Sequence, residues 1–230
     1  MNGRLALPIF AIRPEPGLSA TRQAAQALGM EIIGVPLFEI GPLAWTPPDA
    51  GEVDAMLFGS ANALRHGGPG LGAFSGKPAH VVGEATAQAA RDAGFAVETV
   101  GAGGLQTVLD RLAGRELRLL RLAGEDHVPL DPPSGLTIIT RIVYASSALP
   151  MPSDLERALR GGGVVMLHSA QAARHFRREC ERLGIPLGRL RLAALGPRIL
   201  DAAGKGWAAA GCAANPREGE LLALGDQLCH

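Results

Sequence analysis

Residues 57–66 read LFGSANALRH, and residues 165–175 read VMLHSAQAARH. Each is an apolar run that stops at a Ser-Ala pair and continues as an Ala-rich stretch closed by Arg-His. A short apolar run, a serine and then helix formers describe a buried strand turning into the helix that crosses back over its sheet. Ser60 and Ser169 lie 109 positions apart. A second pair supports the same period: VVGEATAQAARDAGFAVETV at 81–100 and AALGPRILDAAGKGWAAAGC at 193–212 place Gly83 and Gly196 113 positions apart. Any parallel α/β chain reuses such corners. Two pairs at similar offset nevertheless point to two similar halves.

Outward from these corners, strand and helix alternate almost throughout, the pattern of an α/β architecture with largely parallel sheets. The first strand is expected at Ile9–Ile12, a helix at Ser19–Leu28 stopped by Gly29, and a second strand at Glu31–Val35. Five strands then centre on Met56, Val81, Val97, Leu119 and Ile138, with helices starting near Ser60, Glu84 and Leu105. A Ser-x-x-Glu capping box at Ser153 and Glu156 opens the next helix. Three more strands centre on Val165, Leu192 and Ala209, each followed by a helix.

Two N-terminal strands cannot bury a core alone, and three C-terminal ones fall equally short of a sheet. Together they make five, the number in the middle block. The expected fold is therefore α/β, with two flavodoxin-like doubly wound parallel-sheet domains joined by a two-stranded linker and strand order 2-1-3-4-5 in each. Domain 1 is discontinuous, residues 1–36 plus 150–230. Domain 2 is inserted as residues 44–140, and 37–43 and 141–149 are the linker strands. A simple cut near Gly114 into two contiguous halves is the alternative.

Composition narrows the function. Hydrophobic residues are 47% and charged residues 19%, as in ordinary globular proteins. Lys+Arg and Asp+Glu are both 22, which argues against bulk electrostatic binding to nucleic acid or an anionic membrane. No apolar run reaches the ~18 residues of a membrane span, and the N-terminal LALPIFAI, broken by Pro8, reads as a strand rather than a signal peptide. Cys180, Cys212 and Cys229 are odd in number and lack CxxC spacing, so free thiols and a cytoplasmic location are expected. No GxGxxG follows a strand, no histidine pair has metal spacing, and no GxSxG is present.

What remains is the corners. In open α/β sheets ligands bind beyond the C-terminal strand ends, where helix N-termini present N–H groups and partial positive charge. Ser60, Asn62, Thr86, Ser169 and Gln171 sit at such ends. Capping is the commonest job for each one separately; together they suit a multiply anionic ligand held between two lobes. Tyr144, the only tyrosine, falls on the second linker strand. It is either a buried aromatic or a phenol serving as hydrogen-bond donor or weak acid.

The chain resembles the uroporphyrinogen-III synthase family. The resemblance is carried by Arg13-Pro14 before a helix starting at Gly17, PLFEI at 36–40, SANAL at 60–64, VGEATA at 82–87, GED at 124–126 and IVYA at 142–145. HSAQAARHF at 168–176, ALGP at 194–197 and the closing ANPREGELLALG continue the series. It implies two flavodoxin-like domains on a two-stranded linker and a lyase needing no cofactor or metal. Its substrate would be hydroxymethylbilane, a linear tetrapyrrole with eight carboxylates. The bilane loses water to an azafulvene, passes through a spiro intermediate and closes to uroporphyrinogen III with ring D inverted. Because the substrate closes unaided to the other isomer, the enzyme's main task is to enforce geometry. By the resemblance Tyr144 is the catalytic residue that helps the hydroxyl leave, and Arg13, Ser60, Asn62, Gly83, Thr86, Ser169 and Gly196 bind substrate. It further implies a cytoplasmic monomer in transient contact with the preceding pathway enzyme, with no nucleic-acid or membrane partner. Gly59 departs from the pattern where a threonine is usual, as do Arg198 and Ile199 where hydroxyl residues often follow Gly-Pro. A non-catalytic two-domain binding protein for an anionic metabolite, or an inactive paralogue, is the rival reading.

Overall fold

The computed structural model describes residues 6–230, so the first five residues of the expected opening domain lie outside the described residues. The chain runs β1 (Ile9–Ala11), α1 (Gly17–Ala27), β2 (Ile33–Gly34) and β3 (Phe38–Pro42). It continues through β4 (Ala55–Phe58), α2 (Ala61–His66), β5 (Pro78–Val82), α3 (Glu84–Asp92), β6 (Ala96–Gly101), α4 (Leu105–Arg111), β7 (Leu117–Gly124) and β8 (Leu136–Ala148). Last come α5 (Ser153–Arg160), β9 (Gly163–Leu167), α6 (Ala170–Leu183), β10 (Leu190–Ala194), α7 (Pro197–Ala203), β11 (Ala209–Cys212) and α8 (Glu218–Cys229). Two compact units result: the segment ending at Glu39 together with Ser147–His230, and Ile40–Ser146.

The first unit holds a parallel sheet of order β2-β1-β9-β10-β11. Numbered within the unit, that is 2-1-3-4-5. Its inner strands β1 and β9 read as continuous apolar runs because both faces are covered. Phe10, Val165, Leu167 and Leu192 face the core beneath α5, α6 and α7. Their neighbours Ile9, Ala11, Val164 and Met166 face α1 and α8. The period of two that separates these sets is the strand's own.

The second unit holds a six-stranded sheet of order β3-β8-β7-β4-β5-β6. Its five consecutive strands β4 to β8 are parallel and follow 3-2-1-4-5, a correction to the flavodoxin-like order expected for both sheets. The physical reason lies in β6. Its sequence AVETVG alternates, with Ala96, Glu98 and Val100 exposed, and such a strand suits an edge. The winding therefore reverses after β6, one strand later than expected. Helices α2 and α3 cover one face through Ala63, Leu64, Ala87 and Ala90. Helix α4 covers the other through Leu105, Val108 and Leu109.

Two local expectations also change. The strand at Ile138 and the extended segment expected at 141–149 form one 13-residue strand, β8, which runs without a break to Ala148. The capping box does not form: Ser153 is the first residue inside α5, and Pro152 before it contributes no side-chain cap. Glu156 instead accepts from Arg160 Nη2 at 2.8 Å, an i,i+4 pair. Among the described residues all three cysteines are free, and no helix is long and apolar enough to cross a membrane.

Candidate active site

In the second unit the C-terminal ends of β4, β7 and β8 surround a cavity of about 190 Å³. Gly59, Ser60, Arg121, Gly124, Tyr144 and Ser146 are among its lining residues. A bulge places Tyr144 there. Ala123 pairs with Ile142, but the next residue, Gly124, pairs with Tyr144, so Val143 is skipped. The extra residue turns Tyr144 onto the same face as Val143, and its ring packs on the α2/α3 side. There its centroid lies 6.1 Å from that of His66. Gly124 makes room for it, since a Cβ at that position would meet Tyr144 Cε2 at 2.5 Å.

Ser60 is the N-cap of α2, with extended backbone, and its Oγ accepts from the Asn62 amide at 3.2 Å. Capping uses the oxygen and leaves the hydroxyl proton to donate toward the cavity. Asn62 turns its Oδ1 to Arg65 Nη1 at 3.1 Å. The departure at Gly59 has a packing counterpart: a Cβ there would approach Leu105 Cδ1 to 3.0 Å, so Leu105 fills the space a larger residue would need. Gly83 caps α3 at φ 79°, a conformation side-chain-bearing residues rarely adopt. Its carbonyl accepts from the amides of Thr86 and Ala87. Thr86 itself is buried, 5% exposed, so this corner presents backbone rather than a hydroxyl.

In the first unit Ser169 repeats the role of Ser60. Its Oγ accepts from the Ala172 amide at 3.1 Å at the start of α6. Gly196 caps α7 in extended backbone, and a Cβ there would meet nothing within 4 Å, so the corner is open. Arg13 does not reach outward alone. Its Nη1 donates to Glu218 Oε2 at 3.1 Å and to Thr21 Oγ1 at 3.3 Å. Thr21 Oγ1 donates to Glu218 Oε1 at 2.6 Å, and His168 Nε2 lies 3.1 Å from the same oxygen. Burial raises the Glu218 pKa, but hydrogen bonds from His168 and Thr21, with the charges of His168 and Arg13, outweigh it and hold the carboxyl below its usual range.

Neither Arg121 nor Glu218 is among the expected site residues, and His168 enters only through the HSAQAARHF stretch and the absence of metal spacing. The carboxylate of Glu218 gathers donors from Thr21 on α1, Arg13 after β1 and His168 after β9, positions no local pattern connects. Arg121 carried a readable signal: an arginine inside the apolar run LRLLRLAG is a charge in a strand that both faces should bury.

The family model described as Uroporphyrinogen-III synthase HemD matches residues 19–223, most of the chain. The chain belongs to the uroporphyrinogen-III synthase family. Its activity is the family's, the lyase reaction that closes hydroxymethylbilane to uroporphyrinogen III with loss of water, and a purely binding role is not favoured. No curated protein matches the sequence. Among solved structures, the uroporphyrinogen-III synthetase from Helicobacter pylori 26695 aligns at 16% identity and a TM-score of 0.65, covering 96% of this chain and 99% of that one. A triple mutant of the Thermus thermophilus uroporphyrinogen III synthase aligns at 19% identity and a TM-score of 0.47, with 96% and 98% covered. The first likeness speaks for the fold, an α/β chain with two mostly parallel sheets. The Tyr144 cavity offers one phenol and the hydroxyls of Ser60 and Ser146 near strand ends, groups able to donate hydrogen bonds and, for the phenol, to act as a weak acid.

Proposed function

We propose that the second unit's cavity is where the hydroxyl of hydroxymethylbilane leaves, with Tyr144 as the acid. The supporting observation is the bulge at Gly124, which brings the phenol into a cavity shared with the capping hydroxyl of Ser60. Tyr144 donates its proton to the departing hydroxyl. Loss of water leaves an azafulvenium cation beside the Tyr144 phenolate, which can take back the pyrrole N–H proton to give the azafulvene; the enzyme then has mainly to guide the ring closure. Ser60, Ser169 and the backbone corners at Gly83 and Gly196 hold carboxylates through hydroxyl and amide donors. Asn62 and Thr86 support those corners, since one is tied to Arg65 and the other is buried. Arg13 acts through Glu218, fixing the loop after β1 rather than gripping substrate by itself.

We read the two units as the two domains of this enzyme, the first wound like flavodoxin. The chain passes between them within β3 and β8, which supports these strands as the linker. Free cysteines support a reducing, cytoplasmic setting. The deciding experiment couples the purified chain to a source of hydroxymethylbilane and separates the product isomers. Uroporphyrinogen III is expected; release of the spontaneous isomer alone would refute the synthase reading.

A further inference from the structure

Arg121 occupies a position that packing alone would give to a leucine. On β7 it shares a face with Leu119, and its cross-strand neighbour on β4 is Leu57; both belong to the core under α4. It is 6% exposed. Nη2 donates to the Val128 carbonyl at 2.9 Å, while Nε has no partner among the described residues. None of the ion pairs found among the described residues involves Arg121. Burying a guanidinium without a carboxylate costs several kcal/mol even after the surroundings relax. An orphaned buried donor adds to that penalty. One carbonyl bond to the following loop does not offset such a penalty, and an apolar side chain would pack there at no such cost. The compensating anion is therefore to be sought in what enters the cavity that Arg121 lines.

That cavity fits a carboxylate arm. At about 190 Å³ it exceeds the ~150 Å³ that admits a benzene ring in an engineered apolar cavity. It takes one propionate-sized chain with its charge, and it is too small for a whole tetrapyrrole. The other charged or titratable groups lining it are Glu125, Asp126, His127 and Tyr144. The first three are exposed, so water and salt screen them. Arg121 is screened far less. Burial lowers its affinity for the proton, opposed by Tyr144, yet an arginine keeps its charge.

We propose that Arg121 is the cation of a carboxylate subsite, holding one acidic arm of the linear tetrapyrrole and so setting the reacting end against Tyr144. This rests on the synthase reading and deepens it. Arg121 is a binding residue here, and Tyr144 keeps the proton transfer.

The test uses the full chain, wild type, Arg121→Met and Arg121→Lys, with a hydroxymethylbilane source, isomer analysis and separate KM and kcat. Arg121→Met is expected to raise KM about 30-fold or more, the scale for losing one partner of a buried charge pair, with a smaller fall in kcat. Arg121→Lys should recover part of the binding. In the wild type, the ¹⁵N–¹H signal of Arg121 Nε should shift on adding uroporphyrin III and stay fixed on adding its octamethyl ester. A KM within twofold of wild type for a folded Arg121→Met overturns the proposal. So does an unmoved Nε signal under saturating uroporphyrin, a readout that holds even if the methionine variant fails to fold. A wild type releasing only the spontaneous isomer would instead sink the synthase reading, and is distinguished by that product.

Discussion

The ring of Tyr144 lies across the backbone of Gly124, so closely that a Cβ at Gly124 would sit 2.5 Å from Cε2 and 2.6 Å from Cζ. Carbon pairs pack best at about 3.5–4.0 Å, so even an alanine forces the ring to move. Gly124→Ala is expected to destabilise the fold by about 1–3 kcal/mol, the range for overpacking, and to lower kcat by displacing the phenol. Chemical denaturation of a double-mutant cycle checks the cause. In a Tyr144→Ala background the Gly124→Ala penalty should nearly vanish, because the atoms it meets are gone. A penalty undiminished in that background would place the strain elsewhere.

Tyr144→Phe keeps the ring and removes only the oxygen. The ring's packing against the core of the second unit is untouched, so stability should change by less than about 0.5 kcal/mol. If the phenol donates to the leaving hydroxyl, kcat falls with KM little changed, by roughly 10²-fold, the low end for a general acid. Equal loss in binding and turnover would reduce Tyr144 to a positioning group.

How far these features could be read from the chain differs residue by residue. The strand-to-helix corners at Ser60 and Ser169 were visible because capping and hydrophobic periodicity are local, and both serines cap the helices that follow them. Most strands were visible for the same reason, but the strand at Ile138 and the second linker strand, expected as two, are the single strand β8. The point at which the second sheet reverses its winding is not local, although exposed Glu98 in β6 marked an edge that the reading passed over. The bulge at Gly124 depends on the register between two strands, β7 and β8, and no pattern within either strand announces it. Ser153 looked like a cap by spacing. It lies inside α5 because the extended backbone of Pro152 already starts the helix, leaving the serine no capping position to fill. The carboxylate of Glu218 joins side chains 50 and 205 positions away, a connection only the folded chain makes.

Glu179 gives a pH signature for the first unit. It is 8% exposed, accepts from Arg182 Nη2 at 2.7 Å and from the Met151 amide at 2.7 Å. The Arg182 hydrogen bond leads the effects that hold its pKa at about 2, burial opposing and the Met151 amide assisting. The folded-state value lies below the unfolded one, so the carboxylate stabilises the protein fully above the unfolded pKa. That contribution drains away as pH falls from about 5 toward 2. Measured as the denaturation free-energy gap between wild type and Glu179→Gln, it should be flat near neutrality and shrink across that interval. The part of the gap that changes with pH should not exceed roughly 3 kcal/mol, the linkage ceiling for a shift of this size. A gap that does not change with pH would assign the stability to packing of the side chain rather than to its charge.

The paired corners allow one last comparison. Ser60 and Ser169 make the same kind of cap, from Oγ to an amide two or three residues on, at 3.2 and 3.1 Å. Each serine-to-alanine change should therefore destabilise by about 1 kcal/mol, the usual worth of an N-cap. Helix length separates them: α6 runs 14 residues and is anchored by buried Phe176 and Cys180, whereas α2 has only six residues and borders the Tyr144 cavity. Ser60→Ala should accordingly reduce kcat/KM several-fold more than Ser169→Ala at equal loss of stability, because fraying α2 loosens the cavity wall. Neither change should abolish activity, since backbone amides remain at both corners. Thermal denaturation and coupled-assay kinetics on the two variants check this, and a folded Ser60→Ala enzyme with no measurable turnover would show that its hydroxyl takes part in the chemistry directly.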